Sequence, residues 1–322
     1  MKSNILVLSA GRRVELVEEF QFDLKTLLPD GKVYCTDMHP QLSSACIVAD
    51  GHFYVPRVTD PSYVGQILDI CTQNNIGLVV PTIDTELELL SKQRHKFDCL
   101  GIHVLISEPE FVAQCRDKRK TAGLFEQLRV DQPRILDKES LSFPCFCKPY
   151  DGSCSKGALA ISSEHELTPE LLSDPKNMFM ELVPKTYCEY TIDGYYTRKG
   201  ILKCLVPRKR LEVRGGEVSK GLTKKNFVYD YLLERVNHLS GARGCITFQL
   251  FVNEETQAIK GLEINPRFGG GYPLTYASGA KFPEYAIREF LFDEDINFNN
   301  KWEADLLMLR YDAKVLQYDH IE

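Results

Sequence analysis

The sequence predicts an α/β domain on a parallel sheet over residues 1–107, followed by a longer α+β region rich in strands. Two patterns carry this expectation. Apolar runs alternate with stretches of helical periodicity as far as Ser107, and beyond that point strand-like runs and turns predominate. Length agrees: 322 residues at 43% hydrophobic content can build two or three modules around sizeable cores.

In chain order, Ile5–Leu8 is a continuous apolar run, as expected of a strand buried on both faces. Val14, Val17, Phe20, Leu24, Leu27 and Leu28 then recur at helical spacing until Pro29-Asp30-Gly31 stops them. Val33–Thr36 and Phe53–Val55 are the next strand-like runs. Asp60-Pro61 is expected to open a helix, as cap and first residue, with Val64, Ile67, Leu68 and Cys71 as its apolar stripe. Leu78–Val80, a helix over Asp84–Phe97, and Val104–Ile106 complete the series. Ligands of such sheets collect at the carboxyl ends of the strands. Three polar clusters fall there: Ser9-Ala10-Gly11-Arg12, Thr36-Asp37 and Pro81–Glu86. Each suits a helix cap as well as a ligand contact, and the first lacks the G-x-G-x-x-G spacing of a dinucleotide site.

After Ser107 two helical segments, 108–115 and 117–128, lead into a strand over Pro144–Lys148. The loop DGSCSKG (151–157) follows, then a strand over Ala158–Ser162, and mainly strands and turns to Val213. Val228–Leu239 reads as a helix closed by Gly241, ahead of two strands, 244–253 and 259–265.

A formal net charge of −6 argues against a general nucleic-acid or anionic-membrane binder. One stretch runs the other way: Arg198–Lys225 holds ten Lys or Arg against Glu212 and Glu217, either a solvated basic face or a site for a phosphorylated ligand. The 11 cysteines form no C-x-x-C pair and the 7 histidines add no zinc spacing, so reduced, buried thiols are expected. With no signal-peptide pattern and no membrane-length apolar run, a soluble, cytoplasmic protein is expected.

The chemistry concentrates in GLEINPRFGGGYP, residues 261–273. On an extended strand Leu262 and Ile264 face one side while Glu263, Asn265 and Arg267 share the other. Gln249 has the same exposure on its own strand and, if the two strands pair, lies near Glu263 and Asn265. Carboxylate and amide oxygens suit magnesium, which borrows its other ligands from water and phosphates. Arg267 could then stabilise charge in phosphoryl transfer. Lys148, beside the glycine-bounded loop, is placed to meet phosphate oxygens. A half-solvated strand and an ordinary hairpin would read the same way.

Lys118 in CRDKRKT, Lys148 in FCKPYDGSCSKG, the segment MELVPKTYCEYTID (180–193), Gln249, and the EINPR row occur in an order that resembles the ATP-grasp superfamily. The likeness is greatest to its carbamoyl-phosphate-synthase-like branch, which includes single-copy amino-acid ligases such as the pyrrolysine biosynthesis ligase. It implies a pre-ATP-grasp domain over 1–107 and a two-lobed ATP-grasp fold: a small subdomain over 108–183 and a C-terminal subdomain over 184–322. It further implies that Lys118 and Lys148 hold ATP phosphates beneath a loop containing Gly152, Ser153 and Gly157. Glu181, Leu182 and Val183 would meet adenine, and Glu189 the ribose. Gln249, Glu263 and Asn265 would hold Mg2+, or Mn2+ in its place, and Arg267 would contact the transferred phosphate. Arg210, Arg214 and Gly270 would meet substrate. The implied reaction is ADP-forming ligation of a small carboxylate to an amine, amino acids among them, with no nucleic-acid or membrane partner; a homo-oligomer is compatible. Kinase-like or carboxyphosphate chemistry and a nucleotide-sensing regulator are the alternatives. The chain has one copy of the module where carbamoyl-phosphate synthase has two, which argues against synthesis of carbamoyl phosphate by this chain alone.

Overall fold

The computed structural model describes residues 2–152 and 157–318. The first unit runs β1 (Asn4–Val7), α1 (Val14–Leu27), β2 (Val33–Asp37), α2 (Ser44–Val48), β3 (Gly51–Tyr54), α3 (Tyr63–Gln73), β4 (Ile76–Val80), α4 (Asp84–Asp98) and β5 (His103–Val104). Its sheet has the order β3-β2-β1-β4-β5, all parallel. Such pairing requires crossovers, and the helices that supply them cover both faces, which is why Ile5, Leu6 and Val7 are all fully buried.

Two local expectations shift. The helix after Asp60-Pro61 starts at Tyr63, because Asp60 closes its own turn by accepting from the Ser62 N–H and hydroxyl. The helix before Gly241 ends at Arg235, and Gly241 sits farther on, in a turn at φ +80°.

α5 (Pro109–Arg116) and α6 (Lys118–Gln127) lead to a small antiparallel sheet of β6 (Ile135–Leu136), β7 (Cys145–Pro149), β8 (Leu159–Ile161) and, after α7 (Pro169–Ser173), β9 (Asn177–Glu181). Its strand order is β6-β9-β7-β8, around Cys145, Cys147, Ile161 and Phe179. A larger antiparallel sheet follows: β10 (Cys188–Tyr196), β11 (Leu202–Arg214), β12 (Glu217–Thr223), then α8 (Phe227–Arg235), β13 (Gly244–Val252) and β14 (Ile259–Asn265). α9 (Tyr272–Ala277), α10 (Phe282–Leu291) and the short edge strand β15 (Leu307–Leu309) complete the chain, giving the order β14-β13-β10-β11-β12-β15.

The first and third units share one hydrophobic core. It runs from Ile5, Leu16 and Phe20 through Phe268, Tyr272 and Phe282 to Trp302. Phe20 of α1 meets Phe268 edge-on at 5.7 Å between ring centres, and Phe268 meets Tyr272 at 4.7 Å. Polar contacts fasten the same seam: Asp23 accepts from the Tyr276 hydroxyl at 2.8 Å and from the Glu284 N–H at 3.1 Å. Among the described residues no helix is long and apolar enough to cross a membrane.

Candidate active site

A cavity of about 680 Å³ opens where the three sheets meet. Its floor is set by strand register. β13 and β14 pair antiparallel with Gln249 opposite Glu263 and Thr247 opposite Asn265, so the alternation of an extended strand brings Gln249, Glu263 and Asn265 to one wall. Beside them lie Lys118, at the start of α6, and Lys148 on β7.

Lys148 is buried, and its amine is pushed down to about 8, chiefly by burial and further by Lys118, against the pull of Glu263. Lys118 is held by the Gly152 carbonyl at 2.6 Å and lies 3.5 Å from Glu263. Two ammonium groups, one of them dehydrated, thus lie close enough to repel each other beside the Glu263 carboxylate. Seven Lys or Arg line the cavity against five Asp or Glu, so a chain of net charge −6 concentrates positive charge here.

A pH dependence results. Because Lys148 holds its proton less tightly in the fold than in the unfolded chain, the unfolded state binds more protons between pH 8 and about 10.5. Stability of the ligand-free protein should therefore rise across that window. Affinity for a polyphosphate should fall over the same range, since a neutral amine no longer attracts it. Chemical denaturation and nucleotide titration from pH 7 to 10 check both slopes, and Lys148→Met should flatten the contribution of this group.

Glu181, at the end of β9, pairs with Lys260, and Leu182 and Val183 continue past it along the cavity. Glu189 on β10 is met by Arg210 of β11 at 2.5 Å. Gly152 and Gly270 also line the cavity. Gly157 is exposed at φ +73° and does not reach the wall, and Ser153 lies outside the described residues.

Arg214 is placed elsewhere. On strict alternation it would share a face with Arg208 and Arg210, but β11 is irregular between Arg210 and Glu212 and again between Glu212 and Val213. A bulge of this kind reverses the facing of the residues beyond it. Val213 therefore lines the cavity, and Arg214 points out to Asp312 at 2.5 Å. With Arg214, half of the ten basic residues of this stretch are spent on outer ion pairs: Lys209 with Glu254, Lys220 with Glu212, Lys224 with Asp305 and Arg198 with Asp293. Only Arg208 and Arg210 of its ten basic residues turn to the cavity.

Arg267 follows β14 and reaches across to the first unit. Its Nε and Nη2 donate to the two carboxylate oxygens of Asp84, each at 2.7 Å, and Nη1 donates to the Phe268 carbonyl at 3.1 Å. Burial works to raise the Asp84 carboxyl, but Arg267 foremost, with Arg116 and Arg13, holds it below its ordinary range. Arg13 bridges the same units through the Thr82 carbonyl at 3.0 Å and the Phe268 carbonyl at 3.2 Å; burial, then Arg267, lowers it to about 10.

The polar clusters at the strand ends divide. Glu86 accepts from the Thr82 and Ile83 N–H groups, the Ser9 hydroxyl and the Tyr63 hydroxyl, so that cluster is mostly a cap. Asp37 accepts from Gly11 and His39 N–H groups. Thr82–Thr85 remain on the cavity wall.

The glycines after Arg267 are expected to open space for substrate, and the structure fills much of that space with protein. A Cβ on Gly271 would stand 2.2 Å from the Arg208 guanidinium, and one on Gly270 would stand 3.3 Å from the Glu217 carboxyl carbon. Arg208 itself is 1% exposed and pairs with the fully buried Asp193 at 2.7 Å. Thr247 and Thr275 donate to the same carboxylate at 2.9 and 2.6 Å. Asp84 lies in the Pro81–Glu86 cluster and Arg208 in the basic stretch, whereas Arg13 falls just outside the Ser9–Arg12 cluster and only the fold brings it to the site.

Residues 5–105 match the family described as PylC-like, N-terminal domain, and residues 173–309 match ATP-grasp in the biosynthetic pathway with Ter operon. No curated protein sequence matches the chain. Among solved structures, Rhizobium etli pyruvate carboxylase superposes with a TM-score of 0.71 at 12% identity, over 94% of this chain and 30% of that one. The biotin carboxylase domain of Hydrogenobacter thermophilus 2-oxoglutarate carboxylase, solved with MgADP and bicarbonate, gives 0.71 at 13%, over 95% and 73%. An L-amino acid ligase from Bacillus licheniformis gives 0.67 at 14%, over 90% and 74%. At these identities the likeness is one of fold, and this chain spans less than a third of the pyruvate carboxylase. With a parallel sheet leading into two antiparallel lobes, the chain has the ATP-grasp fold, and it matches a PylC-like N-terminal domain over 5–105 and an ATP-grasp domain over 173–309.

Proposed function

We propose that the chain is an ATP-dependent ligase that joins a small carboxylate to an amine through an acyl phosphate, releasing ADP and phosphate. The observation that carries this reading is a single cluster: Gln249, Glu263 and Asn265 in register on paired strands, with Lys118 3.5 Å from Glu263 and the buried Lys148 beside them.

The donors fit magnesium. Among the described residues no group of three or more His, Cys, Asp or Glu forms a self-sufficient metal cage. Magnesium needs none, since it keeps waters and takes phosphate oxygens beside one or two protein ligands. Glu263, Asn265 and Gln249 would hold it, and Mg·ATP supplies the phosphoryl group that turns an unreactive carboxylate into a mixed anhydride. The chain does the rest. Lys118 and Lys148 would neutralise the phosphates, and Glu189 would meet the ribose. Arg267, fixed by Asp84, faces charge that develops on the transferred group.

Mg·ATP should raise the melting temperature, because a ligand that prefers the native state stabilises it by about 2.7 kcal/mol at a hundredfold excess over its dissociation constant. Lys148→Ala should weaken nucleotide binding with or without metal, whereas Glu263→Gln should remove only the metal-dependent part. Equal, metal-independent losses in both would contradict the division of roles. The test of the reaction is ADP release across a panel of amino acids and small carboxylates, each with and without amines. A ligase releases ADP fully only when both partners are present; ADP with a stable phosphorylated product and no amine requirement would instead indicate a kinase.

A further inference from the structure

We infer that Glu217 receives the attacking amine as its ammonium and takes its proton, an inference that rests on the ligase reading. Four of the five acids on the cavity wall are committed to a cation of the same wall or its support: Asp84 to Arg267, Glu189 to Arg210, Glu181 to Lys260, and Glu263 to Lys118. Glu217, at the first position of β12, differs. Among the described residues its one basic partner is Arg310, outside the cavity, which touches Oε2 at 3.3 Å and also holds Glu15 at 3.1 Å.

The other oxygen, Oε1, leans over the glycine loop, 3.4 Å from where a Gly270 Cβ would stand. Any side chain at Gly270 would crowd that carboxylate, so the loop keeps room for it. Glu217 also lies within electrostatic reach of Arg13, which shares the Phe268 carbonyl with Arg267 and so marks the end of the cavity that holds Arg267. A carboxylate with one free oxygen at that end complements an ammonium. Arg13, Arg116 and Arg267, which also line the cavity, complement the acid being activated.

The chemistry needs such a group. An ammonium has no lone pair and cannot attack. When one proton passes to Glu217, the freed nitrogen adds to the carbonyl carbon of the acyl phosphate and the C–N bond forms. The C–O bond to phosphate then breaks, phosphate leaves with the electron pair, and the second nitrogen proton leaves with it. Glu217 returns its own proton to solvent. General-base help of this kind is typically worth about 10²–10⁴-fold.

Hydroxylamine separates this role from every other. It is largely unprotonated at neutral pH and captures acyl phosphates as hydroxamates without a base. The probe set is the twenty protein amino acids, acetate and succinate as carboxylates, each with Mg·ATP and either hydroxylamine or an amino acid as nucleophile. Glu217→Gln should still form hydroxamate at a rate close to wild type, while its amide-forming rate falls on the order of a hundredfold or more. Arg310→Ala, which removes the outer ion pairs to Glu217 and Glu15, should keep both. If Glu217→Gln makes amide at the wild-type rate, or loses hydroxamate and amide together, the role is overturned. It is equally overturned if Arg310→Ala reproduces the Glu217→Gln split, because the ion pair would then be the active feature. A wild-type protein that yields no hydroxamate from any carboxylate overturns the ligase reading itself, and this role with it.

Discussion

Replacing Arg267 with alanine is expected to lower turnover by on the order of a hundredfold or more while nucleotide affinity falls far less, comparable to removing one preorganised donor from an oxyanion site. Asp84 and the Phe268 carbonyl take three of the five N–H groups of this guanidinium, which fixes its plane and leaves two. A donor already held costs no reorganisation when the γ-phosphoryl group is in flight and charge collects on its oxygens. Arg267→Lys should recover only part of the loss, because an ammonium cannot fill the planar fork that Asp84 grips. Asp84→Asn should slow turnover through the same guanidinium, and the double variant should be little worse than Arg267→Ala alone. Calorimetric nucleotide affinity and ADP release with the substrates found in the panel are the paired measurements. An Arg267→Ala protein that binds Mg·ATP normally and turns over at the wild-type rate would reduce this arginine to a strut between two units.

Asp193→Asn should be the most destabilising single change near the cavity, by about 3–5 kcal/mol, because it strips a buried guanidinium of its counter-charge. Arg208 and Asp193 are 1% and 0% exposed, and the carboxylate also accepts from Thr247 and Thr275, so the charge has nowhere to go. Replacing both members, as Asp193→Leu with Arg208→Met, should restore much of the stability, since no buried ion is left unpaired. Urea denaturation midpoints decide it: Asp193→Asn unfolding at the wild-type midpoint would mean that the pair contributes nothing. The double replacement also leaves Gly271 facing a gap, so its recovery should fall short of complete.

Strand alternation and helical periodicity anticipated the parallel sheet because β1, β2 and β4 are bounded by turn residues and flanked by strongly patterned helices. α2 escaped, since five residues cannot complete two turns of any pattern. On the catalytic wall, local rules reached as far as the register of β13 and β14. They failed at Arg214, where irregular pairing in β11 reverses parity without any glycine or proline at the point of reversal. They placed Asp84 in a polar cluster at a strand end but were silent on its partner Arg267, which lies 183 residues away in sequence and meets it only through folding. Arg208 could have been suspected, because it stands two positions before Arg210 on one strand face. Its burial, however, depends on Asp193 from the neighbouring strand β10.

The seam between α1 and α9 bears on how such a protein could be recombined. Phe20 closes one side of the Phe268–Tyr272 aromatic stack, Asp23 anchors α9 and α10, and Asp84 neutralises Arg267. The N-terminal unit is thus not a cassette that can be traded for another parallel sheet, as a linker-joined domain could be. A chimera joined near residue 107 would inherit an arginine without its acid and an aromatic face without its lid. Only a donor that brings an equivalent phenylalanine, both aspartates and the Arg13 bridge would be tolerated, so the two units are expected to be inherited together.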